Sequence, residues 1–249
     1  MRYFIELSYQ GKHYHGWQKQ ANEISVQEII EKALSLLLKE EISVIGCGRT
    51  DAGVHARQFF LHFDVEKEID KEKLKYQLNS FLPEDIGIFQ VIRVSDEAHA
   101  RFNAISRSYQ YRISLAKNVF ENDLSLQLNQ VDLNIEKMNE AAALLMHYTD
   151  FKCFSRSKTD VKTYDCKITE AYWKLNGQRL DFYITSNRFL RNMVRAVVGT
   201  LLEVGKERMT LDEFINVIES RDRMKAGASV KAKGLYLTRV TYPDSILIE

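Results

Sequence analysis

Hydrophobic periodicity alternates between two residues and three to four residues in the same order twice along this chain, and that order restricts the fold more than any other feature. In the first half it predicts a strand at Tyr3 to Ser8, a helix at Val26 to Lys39, strands at Ile42 to Ile45 and Gln58 to Val65, a helix at Lys71 to Ser80 and a strand at Ile88 to Val94. The second half predicts a strand at Ser108 to Leu115 and a helix at Ile135 to His147. A hairpin follows, Lys162 to Leu175 with Arg179 to Thr185, turning at Asn176-Gly177. Helices at Phe189 to Val204 and Leu211 to Glu219 and a last strand at Leu235 to Tyr242 complete it. A β-α-β-β-α-β order met twice places the chain in the α+β class, as two ferredoxin-like (RRM-like) units, each an antiparallel sheet backed by helices. The expected units are residues 1 to 105 and 106 to 249. Pro83 and Pro243 are the only prolines and no Ser- or Gly-rich linker is present, so the halves are expected to share a continuous surface.

Between the second and third expected strands lies Gly48-Arg49-Thr50-Asp51-Ala52-Gly53-Val54-His55-Ala56. It sets one carboxylate between a cation and a glycine, in a loop that two strands can aim. Two familiar glycine motifs do not fit. Gly46-Cys47-Gly48 begins like a dinucleotide fingerprint, but the third glycine position is Asp51, whose charge repels a pyrophosphate. A phosphate loop counted from Gly48 reaches Gly53 and then meets Val54 and His55, where Lys and Ser or Thr are required. What remains is a loop presenting Asp51 for nucleophilic attack, general base work or metal binding, with Arg49 and His55 offering donors and positive charge beside it. Gly46, Gly48 and Gly53 are expected to allow unusual dihedrals or a close ligand approach. The same letters also describe a structural turn in which Asp51 caps backbone amides.

Composition narrows the function. Apolar residues make up 45% of the chain, enough for a proper core, and no apolar run approaches the ~18 residues that a bilayer span needs. The start, Met1-Arg2-Tyr3-Phe4-Ile5-Glu6, reads as a strand rather than a leader, so cytoplasmic residence is expected. Cys47, Cys153 and Cys166 lack C-x-x-C spacing and indicate neither a disulfide framework nor a zinc site. Cys47 reads as a buried small hydrophobe. Net charge is only +1, but it is segregated. Residues 51 to 100 carry six Lys or Arg against ten Asp or Glu, whereas residues 151 to 200 carry ten against four. That basic block, which includes Lys158, suffices to line a phosphate-binding groove if the fold gathers it on one face. Arg188, Arg191 and Arg195 recur at helical spacing and are expected on one face of the helix at 189 to 204, opposite its apolar stripe. On the strand at 108 to 115, Tyr109, Tyr111 and Ile113 share a face, and Tyr111 reads as core.

The run GRTDAGVHA resembles, nearly letter for letter, the catalytic motif of the TruA-type tRNA pseudouridine synthases. Tyr9-Gln10-Gly11 with Gly16-Trp17-Gln18, His99-Ala100-Arg101-Phe102-Asn103-Ala104, the strand Arg107 to Arg112, Phe189 to Arg195 and Gly234-Leu235-Tyr236-Leu237 follow in that family's order. The resemblance therefore covers essentially the whole chain. Ala98 stands where the family commonly has an aromatic, and Ser229-Val230-Lys231-Ala232 replaces a proline-bearing segment. The resemblance implies a pseudouridine synthase fold with a central cleft, isomerisation of uridine to pseudouridine in the anticodon stem-loop of tRNA, and no cofactor or metal. It implies Asp51 as nucleophile or base and Arg195 as the arginine that pairs with it. Tyr109 corresponds to the tyrosine that stacks on the target uracil, and Arg49, His55 and Lys158 are expected to bind substrate. A homodimer is also implied.

Three other readings remain open at this stage. The units could form a noncatalytic RNA-binding module, since aromatic-bearing sheets of this topology stack bases. His13, His15, Asp51, His55 and His62 could hold a metal in a hydrolase, although their spacing is irregular. A catalytically dead scaffold would carry the same letters.

Overall fold

A strand with one fully buried apolar face organises the first unit. In β1 (Arg2–Tyr9), Tyr3, Ile5, Leu7 and Tyr9 line that face, and Phe4 is buried on the other beside the half-buried Glu6 and Ser8. The computed structural model describes residues 1–129, 131–156 and 161–247. It divides into two compact units, the first comprising residues 1–106 together with the chain from Tyr236 onward, the second residues 107–235.

In the first unit β1 lies between two antiparallel partners, β3 (His55–Asp64) and β4 (Ile86–Val94). The far edge of β3 is shared. β2 (Ile45–Gly46) pairs antiparallel with its residues 61–62, and the strand Leu235–Thr241 pairs parallel with its residues 55–56. Two helices cover the sheet. α1 (Val26–Leu38) is capped by the Ser25 side chain accepting from Glu28 N, and it buries Val26, Ile30, Ala33 and Leu34 along one stripe. α2 (Lys71–Phe81) is capped in the same way by Asp70 and buries Leu74 and Leu78.

After β4 the chain forms a short segment, 98–103, that the unit holds from several directions. Arg2 donates to Ala98 O at 2.9 Å, Tyr242 Oη donates to Ala100 O at 2.5 Å, and Ala100 N donates to His62 Nδ1 at 3.1 Å. His62 must therefore stay neutral, as an acceptor in a buried place.

The second unit is built on β5 (Ser106–Ser114), paired antiparallel with β8 (Arg179–Ser186), which in turn pairs with β7 (Ile168–Asn176). A two-residue strand β6 (Leu126–Gln127) runs parallel to the end of β5. The β7–β8 hairpin turns at Asn176-Gly177 as expected, with Gly177 at φ +60°. α3 (Ile135–Leu144) packs on β7, and α4 (Met193–Gly205) and α5 (Leu211–Ser220) pack against α3 and each other. α4 is the core helix, with 11 of its 13 residues buried. α5 starts on a capping box, Thr210 with Glu213. The last strand, β9 (Leu235–Thr241), falls almost wholly in the first unit, although the sequence places it with the second half.

Other departures have local causes. Residues 42–44 are not a strand, because α1 takes their donors: Ile42 N bonds Ser35 Oγ at 2.9 Å and Val44 N bonds Glu31 Oε1 at 3.1 Å. α4 begins at Met193, not at Phe189, because Asn192 adopts a left-handed conformation at φ 66°. Arg188 and Arg191 thus precede the helix and do not share a helical face with Arg195.

The neutral imidazole gives the first prediction. Burial pushes the His62 pKa down from 6.5 to about 4, helped by Arg2 and His99. The folded value lies below the unfolded one, so the unfolded chain holds the extra proton between them. The stability that His62 confers is then complete above 6.5 and lost as pH falls towards 4. Urea midpoints are expected to drop through that window, and His62→Asn to flatten the drop. An unchanged profile in the variant would place the acid sensitivity elsewhere.

Candidate active site

Asp51 sits on a turn with little structure of its own. Val54 N donates to Asp51 O at 3.1 Å, and Cys47 N reaches Phe60 O at 2.7 Å where the loop leaves β2. Position is supplied by a second segment, residues 9–17, laid against it. Trp17 N donates to Thr50 O at 3.3 Å and Gly53 N to Tyr14 O at 3.3 Å. The Tyr9 and Thr50 hydroxyls share a buried bond at 2.9 Å. The acid is thus flanked on both sides by residues anchored to another strand and its continuation.

Close approach is what lets the two segments meet. A Cβ on Gly11 would lie 2.0 Å from Val54 O, and one on Gly16, which adopts φ +91°, would lie 2.3 Å from Thr50 O. The 9–17 segment is itself fixed. Gln10 N bonds Asp85 O at 2.9 Å, and Tyr14 Oη donates to Asp85 Oδ1 at 2.5 Å. Burial, with this bond to a carboxylate, raises the Tyr14 pKa. Gly16 O and Trp17 O accept from Val26 N and Gln27 N, so donors of the first turn of α1 are satisfied by the same segment that holds the loop.

Arg49 is exposed and Asp51 half-buried, as a loop that receives a ligand requires. His55 differs from expectation. It is 1% exposed, its Nδ1 accepts from Gly11 N at 3.1 Å, and its ring stacks on Tyr236 at 4.6 Å. A buried imidazole held in this way braces the loop. Gly46 likewise makes room for the Trp17 indole, which stacks on Phe59 at 4.1 Å. Cys47 is fully buried, matching its reading as a small hydrophobe.

In the second unit Tyr109 is half-buried and meets Phe189 edge to face at 5.0 Å. Tyr111 is core, its hydroxyl donating to Lys231 O at 2.7 Å and its pKa raised by burial. Arg195, on the first turn of α4, donates from Nε to Val230 O at 2.8 Å, and Val230 N returns a bond to Arg195 O at 3.2 Å. Asn192 Nδ2 and Arg223 Nη2 both reach Ser229 Oγ, at 2.6 and 2.9 Å. The Ser229–Ala232 segment thus has a defined shape without the proline. Arg188 donates to Thr163 Oγ1 and Arg191 is exposed. Lys158 lies outside the described residues. Among the described residues no group of three or more His, Cys, Asp or Glu is arranged to hold a metal ion, and no helix is long and apolar enough to cross a membrane.

The geometry is that of a fixed acid on an accessible loop, and comparison with known proteins says whose. A family model described as tRNA pseudouridine synthase matches residues 7–103 and 141–243. The chain belongs to the tRNA pseudouridine synthase family. A relative named tRNA pseudouridine synthase A from Bacteroides fragilis is 49% identical over 247 residues, covering 98% of each chain. Its namesake from Parabacteroides distasonis is 49% identical over 98% of this chain and 97% of its own. A third, from Clostridium acetobutylicum, is 40% identical over 96% of this chain and 98% of its own. The family model takes in the 47–55 loop, the 9–17 segment and Arg195, whereas Tyr109 falls between its two matched stretches.

The bracing residues Tyr9, Gly11, Tyr14 and Gly16 had no assigned role in the sequence, and their signal was the two glycines flanking an aromatic. Gly16→Ala is expected to destabilise the fold by about 2 kcal/mol, since it combines backbone strain with a clash at Thr50 O. It should also lower turnover more than tRNA affinity. Urea unfolding together with single-turnover kinetics checks this, and a variant as stable and active as wild type would show that the two segments need no such close approach.

Proposed function

We propose that this chain isomerises uridine to pseudouridine in the anticodon stem-loop of tRNA, with Asp51 as the acid that acts on the nucleotide. The observation that carries the reading is the placement of Asp51, a half-buried carboxylate on a turn fastened from both sides, in a member of the tRNA pseudouridine synthase family.

The reaction needs no co-reactant. The bond from C1′ to uracil N1 breaks, the base turns, and C1′ joins C5; the proton lost from C5 is matched by one gained at N1. A carboxylate serves this as nucleophile at C1′ or C6, or as the base that removes the 2′ proton. Arg195 is assigned as the charge partner of the acid, Tyr109 as the ring that stacks on the uracil, Arg49 as a contact to the flipped nucleotide or its phosphate, and Lys158 as a further RNA contact. These roles rest on the family's motifs. An aromatic face replaces the stacking that a flipped base loses, worth about 1 to 3 kcal/mol. His55 is assigned to positioning. The ferredoxin-like reading of the first unit is supported by its sheet order, β4-β1-β3 with β2 beyond, traversed as β-α-β-β-α-β. A homodimer and cytoplasmic residence complete the proposal.

Carbodiimide mapping of pseudouridine in an unmodified tRNA transcript, incubated with protein and chelator, tests it. Wild type is expected to create pseudouridine in the anticodon arm. Asp51→Asn should bind tRNA within about twofold of wild type and give no product, because the carboxylate acts in chemistry more than in affinity. Turnover by that variant would sink the assignment of Asp51. Salt-sensitive binding with no product from wild type would favour an RNA-binding module.

A further inference from the structure

The 98–103 segment of the first unit ends in a side chain that the fold holds out rather than buries. Phe102 is 75% exposed. Its backbone is nonetheless fixed: Arg101 N and Phe102 N both donate to His99 Nδ1, at 3.1 and 3.3 Å. His99 N donates to Asn103 Oδ1 at 2.5 Å, and Asn103 N donates to His99 O at 3.0 Å. The imidazole that organises this loop also underlies the ring. His99 lies 4.3 Å from Phe102 and 4.7 Å from His62. The Arg101 guanidinium stands 5.7 Å from the Phe102 centroid.

Such an arrangement leaves an aromatic surface in water while removing the freedom that would let it fold back. We propose that Phe102, seated on His99 with Arg101 beside it, is a stacking platform for an unpaired base of the RNA substrate, a contact outside the reaction centre. This rests on the tRNA reading above. An exposed π-face held in place matches a nucleotide, which offers a base to stack. Aromatic platforms of this kind tolerate any base, so the contact adds grip rather than sequence choice. Its position separates it from the chemistry. β3 runs from His55, beside the catalytic turn, to His62, under this loop, and seven residues of strand span about 24 Å. The contact therefore acts on affinity, and the reacting uridine is handled elsewhere.

The test uses the full chain with Phe102→Ala, Phe102→Leu and Phe102→Trp, and an unmodified tRNA transcript. Phe102→Ala and Phe102→Leu are expected to weaken tRNA binding about tenfold, with KM raised alike, the single-turnover rate at saturating tRNA unchanged and thermal unfolding unaltered. Phe102→Trp should restore affinity, and tRNA should quench its new indole, which stands out from the buried Trp17 and Trp173. Wild-type turnover with unaltered binding by Phe102→Ala overturns the proposal alone. So does full affinity in Phe102→Leu, which would mark a merely apolar contact, or a change in sedimentation of Phe102→Ala, which would mark a surface for a second copy. Wild type that neither binds nor modifies tRNA overturns the functional reading, and this proposal with it.

Discussion

The 9–17 segment is the constraint on which the candidate active site depends. It gives carbonyls to the first turn of α1 on one side and exchanges hydrogen bonds with residues 50–53 on the other. Within the turn that carries Asp51, Val54 N bonds Asp51 O, and the 9–17 segment supplies much of the rest of its shape. Chemistry on a glycosidic bond needs the acid held to within about 0.5 Å. A flexible glycine-bearing loop cannot meet that alone, and here glycines serve the opposite end, since Gly11 and Gly16 let a second backbone come close enough to clamp the first.

The second unit fixes its arginine by a different device. Arg195 is bound at two points to one strip of chain, because Val230 both accepts from its Nε and donates to its carbonyl, while the neighbouring Ser229 is held by Asn192 and Arg223. This loop, which lacks proline, is stiffened by polar side chains. Rigidity at this place is therefore a property of the packing around α4 and not of any one residue in the loop. The charge that α4 presents is set before a ligand arrives.

Much of this was legible in the sequence, and the limits have physical causes. α1, α2 and α5 were readable to within a residue, because their caps, Ser25, Asp70 and Thr210, stand beside clear apolar periods. α4 was read four residues too long at its start, since the left-handed turn at Asn192 has no glycine to signal it. Residues 42–44 looked like a strand because Ile42 and Val44 are buried at alternate positions, but whether their amides meet a strand or a helix side chain cannot be read from alternation. Asp51 stood out through its neighbours. His55 stands beside it in sequence, but its burial against Gly11 and Tyr236 is a tertiary fact with no local signature.

One long-range pairing has a consequence for how the molecule is made. His55 stacks on Tyr236, and Arg57 lies 5.5 Å from the same ring, where β9 joins β3 in parallel at Ala56 and Leu237. The brace behind the Asp51 turn thus comes from a strand synthesised about 180 residues later. Closing a loop of that size is entropically slow, and the chain between must fold or be threaded past before the pairing forms. A nascent chain emerges N-terminus first, so the first unit reaches the ribosome exit with its sheet lacking one edge. The brace is the last thing to arrive, and a chain cut short before Tyr236 is built without it.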